Sequence, residues 1–272
     1  MNYNNLVALV DADVALYRCG FAADSQMNTW YKANVNADAD KEELAEHRAD
    51  NDNDYLVHAL GNTKSLMEEL ASAFNPSTMR VFLTGTGNFR EQVATLLPYK
   101  GNRDPLHKPK YYQEIKNYLV RAWNAEIIDG MEADDALASA QWAATDDSTV
   151  IVTIDKDLDM IPGNHYNFVK RDFYYVDQVS ADLNFYRQML TGDRVDNIPG
   201  IEGIGDVKAA KLLDEYGRDP DRVKEAVKDL YRRQYGDEWE SAYQEVGVLL
   251  WMRRELTDAA SLSEYIKDVT LL

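Results

Sequence analysis

The chain has 272 residues, 45% of them apolar, enough to bury one large core or a core with a small appendage. No run approaches the roughly 18 continuous apolar residues of a membrane helix, and the single cysteine, Cys19, excludes an internal disulfide framework or a thiolate metal cluster and reads as a small buried apolar residue. The net charge of -18 argues against a uniformly basic surface, and the opening MNYNNLVALVD lacks the basic stretch and cleavage site of a signal peptide, so a cytoplasmic protein is expected.

The first apolar, β-branched run is Leu6 to Val10, read as a buried strand, with Asp11 and Asp13 at its carboxyl end. From Asp24 to Asp54 there are nine acids against three bases, and the acidic, Asn-rich part of this stretch is expected to be a surface insertion or a solvated helix. Tyr55 to Phe74 carries apolar positions at helical spacing, and Met79 to Leu83 reads as a second strand. Pro98 to Asn124 reverses the charge balance, with six bases (Lys100, Arg103, Lys108, Lys110, Lys116, Arg121) against Asp104 and Glu114. Its aromatics Tyr111 and Tyr112 lie among the cations, a combination that can hold phosphates and stack on unpaired bases.

A weaker strand is expected at Glu126 to Ile128, a helix at Glu132 to Ala144 and a strand at Val150 to Ile154. Glu132 and Asp135 stand three apart on one helix face, and Asp134 can also reach inward if it lies in the first turn. Asp155 and Asp157 follow the Val150 strand at a spacing of two, on one face if the extended conformation persists, and Asp159 continues that register. FVKRDFYYV, Phe168 to Val176, reads as two short strands turning at Lys170 to Asp172. After about residue 180 the pattern is helical, with Asp193 and Asp196 near a helix end and glycines crowded from Gly200 to Gly205 ahead of Lys208 and Lys211.

Alternation of strand and helix predicts an α/β fold, a mainly parallel central sheet flanked by helices, with its site beyond the carboxyl ends of the strands. Two units are expected: a core over residues 1–180, including a basic segment at about 86–124, and a helical region over 181–272. Four acidic clusters, two of them directly after strands, repel one another unless cations bind or carboxyl groups take up protons. Oxygen ligands without thiolates point to Mg²⁺ or Mn²⁺, two of which about 4 Å apart can activate water and stabilise the leaving oxygen of a phosphodiester.

The ordered set VDADVALYR, YKGNR, EADDALA, TIDKDLD and GDRVDNIPGIEGIG resembles the 5′ nuclease family: flap endonucleases, the 5′ nuclease domain of DNA polymerase I, and phage 5′→3′ exonucleases. LLPYKGNRDPLHKPKYY looks most like the phage group. The resemblance implies a PIN-like nuclease core with a basic arch, a C-terminal helix-hairpin-helix at about 186–215, and Mg²⁺-dependent 5′→3′ exonuclease or flap endonuclease action on DNA in phage replication or recombination, in the bacterial host's cytoplasm. It implies Asp11, Glu132, Asp134, Asp155 and Asp157 for one metal ion and Asp135, Asp193 and Asp196 for a second. Lys100 and Arg103 would touch the scissile phosphate, with Asp155 and Asp157 as catalytic carboxylates. Arg18, Lys108, Lys110, Tyr111, Tyr112, Gly200, Gly203, Gly205, Lys208 and Lys211 would hold DNA without reading its sequence, with a K⁺ ion on the backbone carbonyls of the glycine hairpin.

One departure stands out: the family's carboxylate after the second strand is absent from VFLTGTGNFR, Val81 to Arg90. A water, Thr84 or Thr86 fills its place, or the site has one ligand fewer. Two other readings compete: a PIN-type RNA nuclease, against which Gly200 to Gly205 argues, and a DNA-binding module with a decayed metal site.

Overall fold

The computed structural model describes residues 6–74, 78–103, 108–144 and 148–254. Six strands form one sheet in the order β3-β2-β1-β4-β5-β6: β1 (Val7–Asp11), β2 (Met79–Thr84), β3 (Glu126–Ile128), β4 (Thr149–Thr153), β5 (Gly163–Asn167) and β6 (Asp172–Val176). The first five run parallel and β6 pairs antiparallel with β5. The α/β architecture expected from the alternating pattern is therefore present.

Side-chain alternation along the strands divides the core in two. Ala8, Val10, Val81, Leu83, Val150 and Val152 point to one face, where they meet buried residues of α1 (Ala12–Asn34), α3 (Asp52–Ala73) and α5 (Tyr112–Trp123). Leu9, Phe82 and Ile151 point to the other, into a cluster with α6 (Ala133–Ala143), α7 (Gln178–Thr191), α9 (Pro220–Tyr235) and α10 (Trp239–Leu250). Strands buried on both faces need continuous apolar runs, which is why β1, β2 and β4 are readable from sequence. The helices after residue 180 thus continue the core of the sheet; residues 255–272 of the expected helical region lie outside the described residues.

The 23-residue α1 was not anticipated, because its buried stripe consists mostly of small residues, Ala12, Ala15, Cys19, Gly20 and Ala23, with Leu16 and Met27. The acidic stretch holds α2 (Lys41–Asp50), a solvated helix with no buried residue. The hairpin expected within Phe168 to Val176 is displaced: its first strand is β5, Gly163–Asn167, and residues 168–171 form the turn. The basic segment is likewise not one arch, since its second half is α5, whose Ile115 and Leu119 are fully buried. Residues 104–107 lie outside the described residues.

Candidate metal centre and nucleic-acid interface

The parallel strands β1, β2 and β4 all end at one edge, and α1 and α6 begin there. Asp11, the last residue of β1, is the N-cap of α1, accepting from Val14 N (3.2 Å) and from the Thr153 hydroxyl (2.7 Å) at the end of β4. Glu132 is the N-cap of α6 and Asp134 lies in its first turn. Asp155 follows β4, its amide bonded to Thr153 Oγ1 (3.0 Å) and its Oδ1 accepting from Asp157 N (2.9 Å). The extended register does not persist: a 3₁₀ turn over Asp157–Met160 brings Asp157 against Gln188 of α7 and turns Asp159 away to accept from the Tyr174 hydroxyl (2.6 Å). After α7, the backbone bridge between Asp193 and Ile198 closes a tight loop that presents Asp193 and Asp196.

Seven of the eight expected metal ligands line one open cleft of about 920 Å³, and Asp13 joins them. The exception is a correction. Asp135 is fully buried outside the cleft, in a bidentate ion pair with Arg90 (2.6 and 2.9 Å), and also accepts from Arg253 N (3.0 Å). Arg90 in turn donates to the carbonyls of Leu249 and Trp251, so this pair fastens the end of α10 beneath the site.

Burial and mutual repulsion raise the proton affinity of most of the cleft aspartates. Burial, then the neighbouring Asp13, pushes Asp11 up to about 7; burial, then Asp155, Asp193 and Asp196, pushes Asp157 up to about 7. Asp134 is raised well above the ordinary range by burial and by Asp11 and Asp155; Asp13, Asp155 and Asp193 are raised chiefly by burial. The chain's own cations relieve part of the repulsion. Lys100 pairs with Glu132 and lies 3.6 Å from Asp196, Arg103 pairs with Asp196, and the Tyr99 hydroxyl donates toward Glu132 (3.0 Å) and Asp196 (2.8 Å).

The donor set fits a hard divalent cation: carboxylate oxygens throughout, one of them, Asp13 Oδ1, buried without a hydrogen-bond partner among the described residues. As the side chains stand, no three described carboxylate, imidazole or thiolate groups are gathered closely enough to hold one ion. Two of these carboxylates, Glu132 and Asp196, are held in ion pairs by Lys100 and Arg103.

Lys100 sits at a left-handed φ of 54°, uncommon for a residue with a side chain. Its position is held from the loop of the second acidic pair: Lys100 N donates to Asp196 O (2.8 Å), Asn197 to Pro98 O (2.8 Å) and Asn102 to Arg194 O (2.6 Å). Of the other expected DNA contacts, exposed Arg18 and Lys108 line the cleft, and the Lys108 ammonium lies 4.7 Å over the Tyr112 ring. Tyr112 meets Tyr17 edge-on at 5.7 Å, and Tyr17 meets Phe21 at 6.2 Å, an aromatic wall along α1. Tyr111 is a correction: it is 4% exposed, donates to Asp52 Oδ1 (2.8 Å), and offers no face for stacking, while Lys110 is paired with the same Asp52.

The glycine segment lines a second cleft of about 800 Å³ that shares Asp157, Gln188 and Asp193 with the first. Gly203 needs glycine for its φ of 74°, whereas Gly200 needs it for space, since a Cβ there would lie 2.3 Å from the Thr191 carbonyl carbon. Gly205 is the N-cap of α8 (Asp206–Glu215) and has open space around it. Lys208 donates to the Gly203 carbonyl (2.7 Å), placing an ammonium where a K⁺ ion was expected to use backbone carbonyls; Lys211 is exposed further along α8. At β2, Thr84 Oγ1 accepts from Ala133 N (2.9 Å) and Thr86 bonds Asp129, so neither hydroxyl is offered freely to the cleft. Tyr99 and Gln188 were missed: Tyr99 adjoins the YKGNR cations, but nothing in the sequence marks Gln188.

No family model matches the chain. The DNA polymerase I of Caldicellulosiruptor bescii is 31% identical over 159 residues, 48% of this chain and 18% of that protein. The thermostable DNA polymerase I of Thermus aquaticus is 30% identical over 188 residues, 62% of this chain and 22% of that protein. A Bacillus subtilis 5′-3′ exonuclease is 33% identical over 121 residues, 39% of this chain and 40% of that protein. The chain therefore matches well under half the length of these relatives, and they bear out the resemblance read from the motifs. A solved T5 5′-exonuclease superposes over 98% of this chain and 99% of its own at 16% identity and a TM-score of 0.49, too loosely to compare side chains. Among the described residues no helix is long and apolar enough to cross a membrane.

Proposed function

We propose that this relative of DNA polymerase I and of a bacterial 5′-3′ exonuclease is a divalent-metal-dependent 5′ nuclease that hydrolyses DNA phosphodiesters, as a 5′→3′ exonuclease or flap endonuclease. The observation that carries the reading is the cleft itself, in which carboxylates from four segments of chain meet Lys100 and Arg103. Asp11, Glu132, Asp134, Asp155 and Asp157 would hold one Mg²⁺ or Mn²⁺ ion, and Asp193 and Asp196 a second. Such ions supply a water nucleophile and neutralise charge on the leaving oxygen.

The chain's residues divide the remaining work. Lys100, released from Glu132, would donate to the scissile phosphate and Arg103 to its neighbour, both held over the cleft by the Pro98–Arg103 loop. Tyr17 and Tyr112 present ring faces on which a displaced base can stack, with Arg18 and Lys108 beside them for its phosphates. The turn at Gly200–Gly205 would hold the duplex backbone through its amides, sequence-independently, as a helix-hairpin-helix element does. A phage replication or recombination role accords with this chemistry. Digestion of duplexes labelled on each strand in turn, in Mg²⁺ and in chelator, tests the reading: Mg²⁺-dependent release from 5′ ends is expected, and release from 3′ ends or cleavage only of RNA would reject it.

Lys100→Ala is expected to lower the single-turnover rate by about 10²- to 10³-fold, as loss of one transition-state donor does, with a much smaller change in DNA affinity. An effect confined to the dissociation constant would make Lys100 a phosphate anchor only.

A further inference from the structure

The two sides of β1 are unequally supplied with charge. On the β4 side, the chain leaving that strand brings Asp155 and Asp157 to the cleft, whereas β2 ends at Thr84 and the stretch from Gly85 to Arg90 that follows it carries no carboxylate, while nearby Asp129 is occupied by Thr86. Asp13 fills this gap from a different element. It lies in the first turn of α1, and its Oδ2 crosses to β2 to accept the Thr84 amide at 3.0 Å. That bond fixes the carboxylate; Oδ1 is left buried with no hydrogen-bond partner among the described residues, in the cleft that Asp11, Glu132 and Asp134 line.

A buried carboxylate oxygen without a donor is costly, and Lys116, whose charge bears on Asp13, is itself committed to the Thr84 carbonyl at 2.7 Å. We propose that Asp13 is a cation-holding residue of the site, its carboxylate placed over the end of β2 so that Oδ1 faces the bound divalent ion while Oδ2 is anchored on Thr84. This rests on the metal-dependent reading above. It also gives the carboxylate-free end of β2 a negative charge from the helix start beside it.

The alternative is that Asp13 serves only as an acceptor for Thr84 N. Asn keeps an acceptor oxygen of the same shape and removes the charge, so Asp13→Asn separates the two roles. Mn²⁺ binding to the full chain without DNA, followed by isothermal titration and by the paramagnetic resonance of free Mn²⁺, is expected to weaken by about 10- to 100-fold, a loss at least as large as that seen for groups supporting a ligand from outside the coordination sphere. Adding Thr84→Asp to Asp13→Asn returns a carboxylate to the same place from β2 and is expected to recover most of that affinity. Mn²⁺ affinity unchanged in Asp13→Asn, with the variant folded, would overturn the proposal and leave the nuclease reading standing. No Mn²⁺ binding by the unsubstituted chain would overturn both.

Discussion

Asp157→Asn is expected to lower cleavage by about 10³-fold or more and to leave DNA affinity within a few-fold of its original value, the largest catalytic effect expected of any single substitution here. Asp157 stands between the two carboxylate groups, fixed by Gln188 on one side and by its own amide's bond to Asp155 on the other. Asp157 is a ligand of the first proposed ion and its charge also bears on Asp193 and Asp196 of the second, so its loss is expected to cost more than the roughly 10²- to 10³-fold of removing one charge-stabilising donor. Affinity for DNA arises from cationic groups elsewhere, and removing a negative charge from the cleft does not weaken them. Rates in Mg²⁺ and equilibrium binding in chelator measure the two quantities separately. Near-normal turnover would remove Asp157 from the metal site.

Asp135→Ala, in contrast, is expected to act on folding. The Arg90–Asp135 pair is almost wholly excluded from water, and removing its acid leaves a buried guanidinium without its counter-charge, bonded to the carbonyls of Leu249 and Trp251. Breaking such a pair costs about 3–5 kcal/mol. Denaturant unfolding without any divalent cation should therefore show a loss of that order, and Arg90→Met combined with Asp135→Ala should recover part of it by removing the stranded charge. A loss of stability appearing only in the presence of Mg²⁺ would return Asp135 to the role of ligand.

These two residues illustrate what sequence could and could not reveal. The strands β1, β2 and β4 are legible because burial on both faces demands uninterrupted apolar residues, and the acids just past β1 and β4 must then lie at the carboxyl edge. The strand β5, GNHYN, carries no such run, since it owes its place to backbone pairing with β4 and β6. Spacing within EADDALA shows that Glu132, Asp134 and Asp135 share the start of a helix, but not which neighbour each meets. Asp135 turns toward Arg90, 45 residues away in sequence. Tyr111 and Tyr112 are adjacent in an even basic context, yet one is sealed against Asp52 and the other faces the cleft. Asp13 was visible as an acid after a strand, but its significance depends on the proximity of Thr84, 71 residues on.

The central claim is that the cleft is a cation site whose carboxylates are under strain from one another. In the absence of divalent ions, Asp11 and Asp157, pushed up to about 7 from 3.8, bind more protons in the folded chain than in the unfolded one between about pH 4 and pH 7. Stability therefore falls as pH rises through that window and levels off about one pH unit above it, the last part of the fall, between pH 6.5 and pH 8.0, being on the order of 1 kcal/mol per group. His165, whose pKa burial lowers, is neutral in both states over most of this interval and changes the comparison little. Thermal unfolding at pH 6.5 and pH 8.0, with Mn²⁺ and with chelator, tests the claim directly. The account predicts a lower Tm at pH 8.0 in chelator and a stabilisation by Mn²⁺ that is larger at pH 8.0, where the ligands are already deprotonated. A Tm that rises with pH in chelator and does not respond to Mn²⁺ at either pH would contradict it.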